Sequence, residues 1–329
     1  MPDKTATTKT ALTGLQPSGE LHLGNYIGAV EQVLELQKSY ETVCFVADLH
    51  AMTVPYKADE LRARTRDLAR ILLAAGVDPD KTLLFVQSHV PAHVELAWIL
   101  STQLPVAELE RMTQYKEKVQ QRKPTNAGLL NYPTLMAADI LMYNVDLVPV
   151  GQDQAQHVEL ARVAARKFNT AFGETFALPK ASLRESALIR GTDGDSKMSK
   201  SIGNTLPLLA EPEEVRKRVR KAMVNPPAPT SYEGVKPITI FEWHDAQFPS
   251  AETTKLSHEA RVENKHSEQY KELVAANIST YLAPLQKRYK EIVAKGDADL
   301  DRVLEAGAVE ARARAERMME KVRKHCGLR

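Results

Sequence analysis

The segment Gly14–Ala29, GLQPSGELHLGNYIGA, decides how the chain is read. An apolar run, TALTGLQ (10–16), leads into it and stops at Gln16. Pro17 and Gly19 then turn the chain, since proline presets φ and glycine tolerates backbone angles that other residues avoid. A helical pattern, LGNYIGAVEQVLELQ, begins at Leu23. Strand, tight turn and helix in that order make a βα unit. Gly24 puts no side chain on the first turn, so a flat base or a phosphate can approach the backbone. Free N–H groups at a helix start attract anions, and His22 and Asn25 add donors beside them. Taken alone, the same residues suit a plain βα turn equally well.

Three more short apolar runs follow: TVCFVADLH (42–50), TLLFVQSHV (82–90) and DLVPVG (146–151). Helical patterns such as DELRARTRDLARILLAAG and AHVELAWILSTQL lie between them. Continuous apolar strands alternating with helices predict an α/β fold, a Rossmann-like doubly wound parallel sheet. Ligands of such sheets sit beyond the carboxyl ends of the strands. The polar groups at those ends are Gln16 to Ser18, Asp48 and His50, Gln87 and His89, and Gly151 to Gln154. After residue 205 no comparable strand run appears. EPEEVRKRVRKAM, Gln269–Lys295 and Ala298–Lys324 read as helices, and the Pro-rich Asn225–Gly234 as a loop. The fold class is therefore a parallel sheet with a mainly helical C-terminal part.

With 329 residues the chain holds one large domain or two ordinary ones. Its 43% hydrophobic and 26% charged residues are ordinary for a globular protein. A net charge of +2 does not announce a nucleic-acid binder, so local patches matter instead. The two cysteines imply neither a disulfide framework nor a Cys-rich metal site. Cys44, in an apolar run, is expected to pack as a small hydrophobe, and Cys326 lies in a polar tail. No run is apolar enough to span a membrane. MPDKTATTKT lacks the apolar core of a secretory signal and reads as a disordered tail over residues 1–10. A reducing, cytoplasmic home is expected.

The second motif is KMSKS (197–201), set in the polar stretch GTDGDSKMSKSIGNT. Two lysines alone would suit a solvated loop. Displacing pyrophosphate from a nucleoside triphosphate, however, concentrates negative charge near the transition state. Ammonium groups that close over that charge only then accelerate the step rather than merely bind substrate. Lys197 and Lys200 fit that task.

HLGN after LQPSG, followed by KMSKS, resembles the paired signatures of the class I aminoacyl-tRNA synthetases. ADLHAMT (47–53), QSHVPAHVELAW (87–98), ELERMTQYKEK (108–118), NAGLLNYPTLMAADILMY (126–143) and VPVGQDQAQHVELAR (148–162) look like the tryptophanyl-tRNA synthetase family. The resemblance is dense up to about the signature loop and loose in the helical remainder. It implies ATP-dependent activation of tryptophan, with Mg²⁺ carried by ATP and no metal held by the protein itself, then transfer to tRNA(Trp). It implies that Asp139 accepts the indole N–H, a contact that discriminates far better than size alone. Met136, Val148, Val150 and Gly14 would line the indole pocket, and His50, Tyr132 and Gln154 would hold the polar end. Gln16, Pro17, Ser18, Gly24 and Asn25 would line the ATP site, with Gly151, Gln152 and Asp153 at the ribose and Leu188 at the adenine. Lys197, Met198, Ser199, Lys200 and Ser201 would close on the phosphates, with Lys118 helping at pyrophosphate.

The resemblance also implies domain roles: 11–200 catalytic, 201–295 helical on the anticodon side, and 296–329 a C-terminal helix packing back on the catalytic domain. RKRVRK (216–221) and the last helix, with Arg312, Arg314, Arg317, Lys321, Arg323 and Lys324, are the basic runs available to tRNA. A homodimer is implied on the same ground. The chain departs from the family pattern at Leu12, where an aromatic is common, and at Gln152, where an acid is common. It departs again around the signature loop. RGTDGDS precedes the loop, with Gly191 and Gly194 expected to make it more mobile, and Ile202-Gly203-Asn204 follows it where an aspartate is frequent. A tyrosyl enzyme, a small-molecule adenylyltransferase and a binding paralogue are the rival readings. The first should offer partners for a phenol, the second lacks need of the helical remainder, and the third should lose the lysines.

Overall fold

β1 (Thr10–Leu15) lies at the centre of a five-stranded sheet ordered β3-β2-β1-β4-β5. The other strands are β2 (Glu41–Val46), β3 (Thr82–Val86), β4 (Leu147–Val150) and β5 (Lys180–Leu183). All pairings are parallel. The computed structural model describes residues 9–120, 125–151, 154–183, 188–195, 197–199, 202–227 and 237–328. The chain steps outward from β1 to β3, then crosses back to β4 on the other side of β1. The order therefore reverses between β1 and β4, where open α/β sheets bind ligands.

Alternation along the strands sends side chains to two cores. Val43, Phe45 and Phe85 enter one cluster, and Cys44, Val46, Leu84 and Val86 the other. Both faces are thus covered, which is why these strands read as unbroken apolar runs. Two runs were shorter as strands than expected. β2 stops at Val46 and α3 (Asp48–Ala51) follows it, while β3 stops at Val86 before a 3₁₀ turn at Gln87–His89. The helix after β1 is not uniform either. α1 (Leu23–Asn25) passes through a π-helical turn (Tyr26–Val30) into α2 (Glu31–Leu36), a widening that recurs at functional sites. β5 was not anticipated, because KASL is short and contains no β-branched or aromatic residue.

The remaining helices of the α/β part are α4 (Ala58–Ala75), α5 (Ala92–Ser101), α6 (Val106–Glu110), α7 (Thr113–Gln120), α8 (Ala127–Met142) and α9 (Ala155–Phe172). Then come α10 (Pro212–Lys221), α11 (Ile240–Gln247), α12 (Ala251–Arg261), α13 (Ser267–Ala294) and α14 (Asp297–Cys326). α10 to α13 share a third core around Val219, Phe241, Tyr270 and Ile278, which also takes Leu23 and Met198.

α14 runs back along the edge strand β3. Leu300, Leu304, Ala308, Ala311, Ala315, Met319 and Val322 form its buried stripe at helical spacing. Arg323 fastens its end to α5 by a forked pair with Glu95, 2.7 Å on each arm. Cys326 is the last residue of this helix and packs half-buried against the core, not in a loose tail. Cys44 is fully buried, as an apolar run requires, and both thiols are free. No helix among the described residues is long and apolar enough to cross a membrane.

Candidate active site

The two sequence signatures meet. His22 caps α1: its Nδ1 accepts the Asn25 N–H, and Asn25 Oδ1 accepts the His22 N–H, both at 3.3 Å. The Leu23 N–H donates to the Leu206 carbonyl at 2.8 Å, and the Leu208 N–H to the Leu21 carbonyl at 3.0 Å. The helix start is thus laced to the segment just after KMSKS. Met198 is buried in the same core as Leu23, and a β-carbon on Gly24 would stand 3.5 Å from its sulfur. Lys197 is exposed and pairs across an antiparallel bridge with Arg190. The Leu188 carbonyl accepts the Ile238 N–H at 2.9 Å, anchoring the approach to this loop.

At the carboxyl end of β1, Gly14, Gln16 and Ser18 are exposed and Pro17 is buried. Gln16 Nε2 donates to the His50 carbonyl at 3.0 Å, tying the end of β1 to α3. Gly151 directly follows β4, and its carbonyl accepts the Gln154 N–H at 2.9 Å. Gln152, Asp153, Lys200 and Ser201 lie outside the described residues. Lys118 stands half-buried in the last turn of α7 and forms no ion pair among the described residues.

Asp139 is 1% exposed, on α8, inside a ring of donors. Oδ2 faces His50 Nε2 at 2.8 Å, Oδ1 faces His93 Nδ1 at 2.5 Å, and Gln87 Nε2 reaches both oxygens at 2.9 Å. Burial would push the carboxyl up, but the hydrogen bonds and electrostatic pull of His50 and His93 outweigh it and hold it at about 2. Facing an ionised carboxylate, each ring nitrogen must carry its proton. His93 Nε2 in turn meets the Tyr143 hydroxyl at 2.8 Å. His93 and the bonding role of Gln87 escaped the sequence reading. Gln87 stood at a strand end, but a single histidine within the apolar pattern AHVELAWIL carried no sign of what it faces.

Val148 and Val150 are buried in the core that also holds Ala138 and Ile140, the chain neighbours of Asp139, and Met136 is partly buried against it. Tyr132 sets its ring edge-on to His50 at 6.2 Å and bonds His157 Nε2 at 2.7 Å. Burial, with Glu117 adding to it, pushes its phenol pKa up, so it stays neutral. Leu12 is buried, and the neighbouring strands β2 and β3 supply aromatic rings to the same core. Phe45 stacks on Phe85 at 5.7 Å and lies 6.0 Å from His93.

The basic runs are mostly paired. Arg216 and Arg220 bind Glu272, Arg218 binds Glu214, and Arg312, Arg314 and Arg323 each hold a glutamate. Lys221, Arg317, Lys321 and Lys324 have no ion-pair partner among the described residues.

A parallel sheet with its order reversal beside a strand–turn–helix signature, laced to a lysine loop, defines a class I aminoacyl-tRNA synthetase. The family model for class I tRNA synthetases (W and Y) matches residues 4–283, and the chain belongs to that family. It is 40% identical to a tryptophan–tRNA ligase of Gloeobacter violaceus over 100% of this chain and 99% of that one. A tryptophan–tRNA ligase of Deinococcus radiodurans is 42% identical, with 96% and 97% covered. Among solved structures, tryptophanyl-tRNA synthetase from Campylobacter jejuni, complexed with ADP and tryptophan, superposes with a TM-score of 0.85. It is 35% identical, with 97% of this chain and 100% of that chain covered.

Proposed function

We propose that the chain is a tryptophan–tRNA ligase: it activates L-tryptophan with ATP to tryptophanyl-adenylate and transfers the acyl group to tRNA(Trp). The observation that carries this is the lacing of the Leu23 helix to the segment after KMSKS, with Met198 beside Gly24. ATP lies beyond β1 and β4, against Gln16, Pro17, Ser18, Gly24 and Asn25. Gly151, Gln152 and Asp153 hold its ribose and Leu188 its adenine. The tryptophan carboxylate attacks the α-phosphorus in line, and the bond to the pyrophosphate oxygen breaks. Pyrophosphate leaves with the Mg²⁺ that ATP brings, against Lys197, Lys200 and Lys118. The 2′-hydroxyl of the terminal adenosine then attacks the acyl carbonyl, and AMP departs. No protein nucleophile is required: positioning and charge stabilisation do the catalysis.

The indole lies against Gly14, Met136, Val148 and Val150, and its N–H goes to Asp139. His50, Tyr132 and Gln154 hold the ammonium and carboxylate. The catalytic domain spans 11–200, the anticodon-side helices 201–295, and the C-terminal helix 296–329. Lys221, Arg317, Lys321 and Lys324 are the basic groups left for RNA phosphates, which position rather than specify. The free thiols of Cys44 and Cys326 suit the reducing cytoplasm. The protein works as a homodimer. Supporting this, Met52, Val94 and Trp98 are 45%, 52% and 73% exposed, and they line a cavity of about 560 Å³ together with Tyr132 and Leu135.

The test is amino-acid-dependent ATP–pyrophosphate exchange with tryptophan, tyrosine and phenylalanine in parallel. Exchange with tryptophan alone is expected. Exchange driven by tyrosine would overturn the Asp139 assignment, and none with any of the three would overturn the reaction.

A further inference from the structure

The residues that flank the signature loop form a clasp centred on Asn204. This side chain is 3% exposed, although it sits in a polar loop. Its Oδ1 accepts the Ser199 N–H at 2.7 Å, and its Nδ2 donates to Asp193 Oδ2 at 2.8 Å and to the Lys197 carbonyl at 3.3 Å. Its own carbonyl accepts the Thr192 N–H at 2.9 Å. One amide thus holds the approach to the loop and the KMSKS main chain together. Only an amide does this: the acceptor faces an N–H, while the donors face a carboxylate and a carbonyl.

Gly191 belongs to the same device. A β-carbon there would stand 2.1 Å from Asn204 Nδ2, so the glycine makes room for the clasp rather than loosening the loop. The next residue is anchored as well, since Arg218 donates to the Thr205 carbonyl at 2.7 Å. Leu206 and Leu208 then lace to the signature helix. A continuous set of bonds therefore runs from α10 and the helix at Leu23, through Asn204, to the main chain that carries Lys197.

We propose that Asn204 is a positioning residue for pyrophosphate displacement. It fixes the main chain of Lys197 to Ser199 relative to the Gly24 helix start, and Gly191 and Asp193 are its required partners. The proposal rests on the activation reaction given above. Gly191, before the loop, and Asn204, after it, are then one coupled feature.

Asn204→Asp is the first variant, because it keeps the shape while setting an acceptor against Asp193 and the Lys197 carbonyl. In tryptophan-dependent ATP–pyrophosphate exchange it is expected to lower kcat about tenfold or more, with KM for tryptophan within twofold of wild type. Adding Asp193→Asn restores a donor opposite residue 204 and is expected to recover part of kcat. Asp193 is exposed, so Asp193→Ala tests the same clasp even where the Asn204 variant folds poorly, and several-fold slower exchange is expected. Unchanged kcat in Asn204→Asp and Asp193→Ala, with the wild type active, would overturn the clasp alone. Equal losses in kcat and in tryptophan binding would reduce it to general folding support. Wild-type protein without exchange would instead overturn the activation reading.

Discussion

Asp139 shows how far one side chain's meaning depends on its neighbours. A carboxylate offers about four acceptor positions, and here four donor contacts already occupy them. An indole N–H must therefore displace or share one, and His50 is the partner with most room, its side chain being 14% exposed. Gln87 Oε1 is buried without a hydrogen-bond partner among the described residues, a deficit that bound substrate or water can relieve. Asp139→Asn would set an amide N–H against donors. Hydrogen bonds to charged groups are worth about 1.5–3 kcal/mol, so KM for tryptophan should rise roughly tenfold to a hundredfold. KM for ATP should stay near wild type in the same exchange assay. The folded carboxyl is held at about 2, below its unfolded value. Its contribution to stability is therefore complete above the unfolded pKa of about 3.9 and is lost as pH falls through about 2. Tryptophan KM should show no step from Asp139 between pH 5 and 8, and a carboxyl-like step there would contradict the network.

At the scale of elements, two contacts invite mutation. Lys197 rides on a loop whose main chain is held from both sides while its side chain stays exposed. Lys197→Ala, or Lys200→Ala, should slow adenylate formation about 10²–10³-fold, the usual loss for one transition-state donor. Tryptophan binding, followed by equilibrium dialysis, should barely change, and parallel losses in both would refute the role. α14 is the second case. A β-carbon on Gly307 would stand 1.8 Å from the Leu84 carbonyl, backbone against element, with no side chain able to give way. Gly307→Ala must push α14 off the edge strand, at about 1–3 kcal/mol or more. Calorimetry should show the melting temperature several degrees lower with kcat nearly unchanged. An unchanged melting temperature would mean the helix docks less tightly than the geometry demands.

The whole molecule raises the question of assembly. Three exposed apolar side chains, Met52, Val94 and Trp98, line one cavity rather than standing scattered over the surface. The cavity borders Tyr132, so a second copy seated there would press on a residue assigned to the substrate's polar end. Trp98→Glu should convert a dimer into a monomer in size-exclusion chromatography with light scattering, and lower exchange activity with it. A wild type of monomer mass would refute the dimer, and wild type and variant both of dimer mass would place the interface elsewhere.

Much of this is legible in the sequence. Apolar runs buried on both faces carry their pattern in the chain itself, and GLQPSG followed by HLGN marks a βα turn by backbone chemistry. Strand ends were read long at Val46 and Val86, since the following turns keep apolar residues that a period cannot separate from strand. β5 was invisible because KASL relies on pairing with β4 rather than on its own propensity. The local order of strand, turn and helix, and the polar groups at strand ends, were thus determined by the sequence alone, because they depend on near neighbours. The donor ring around Asp139, the Asn204 clasp and the close approach of Gly307 to β3 were decided only by the tertiary structure. Each joins residues far apart in the chain, and which atoms meet there depends on how the layers pack.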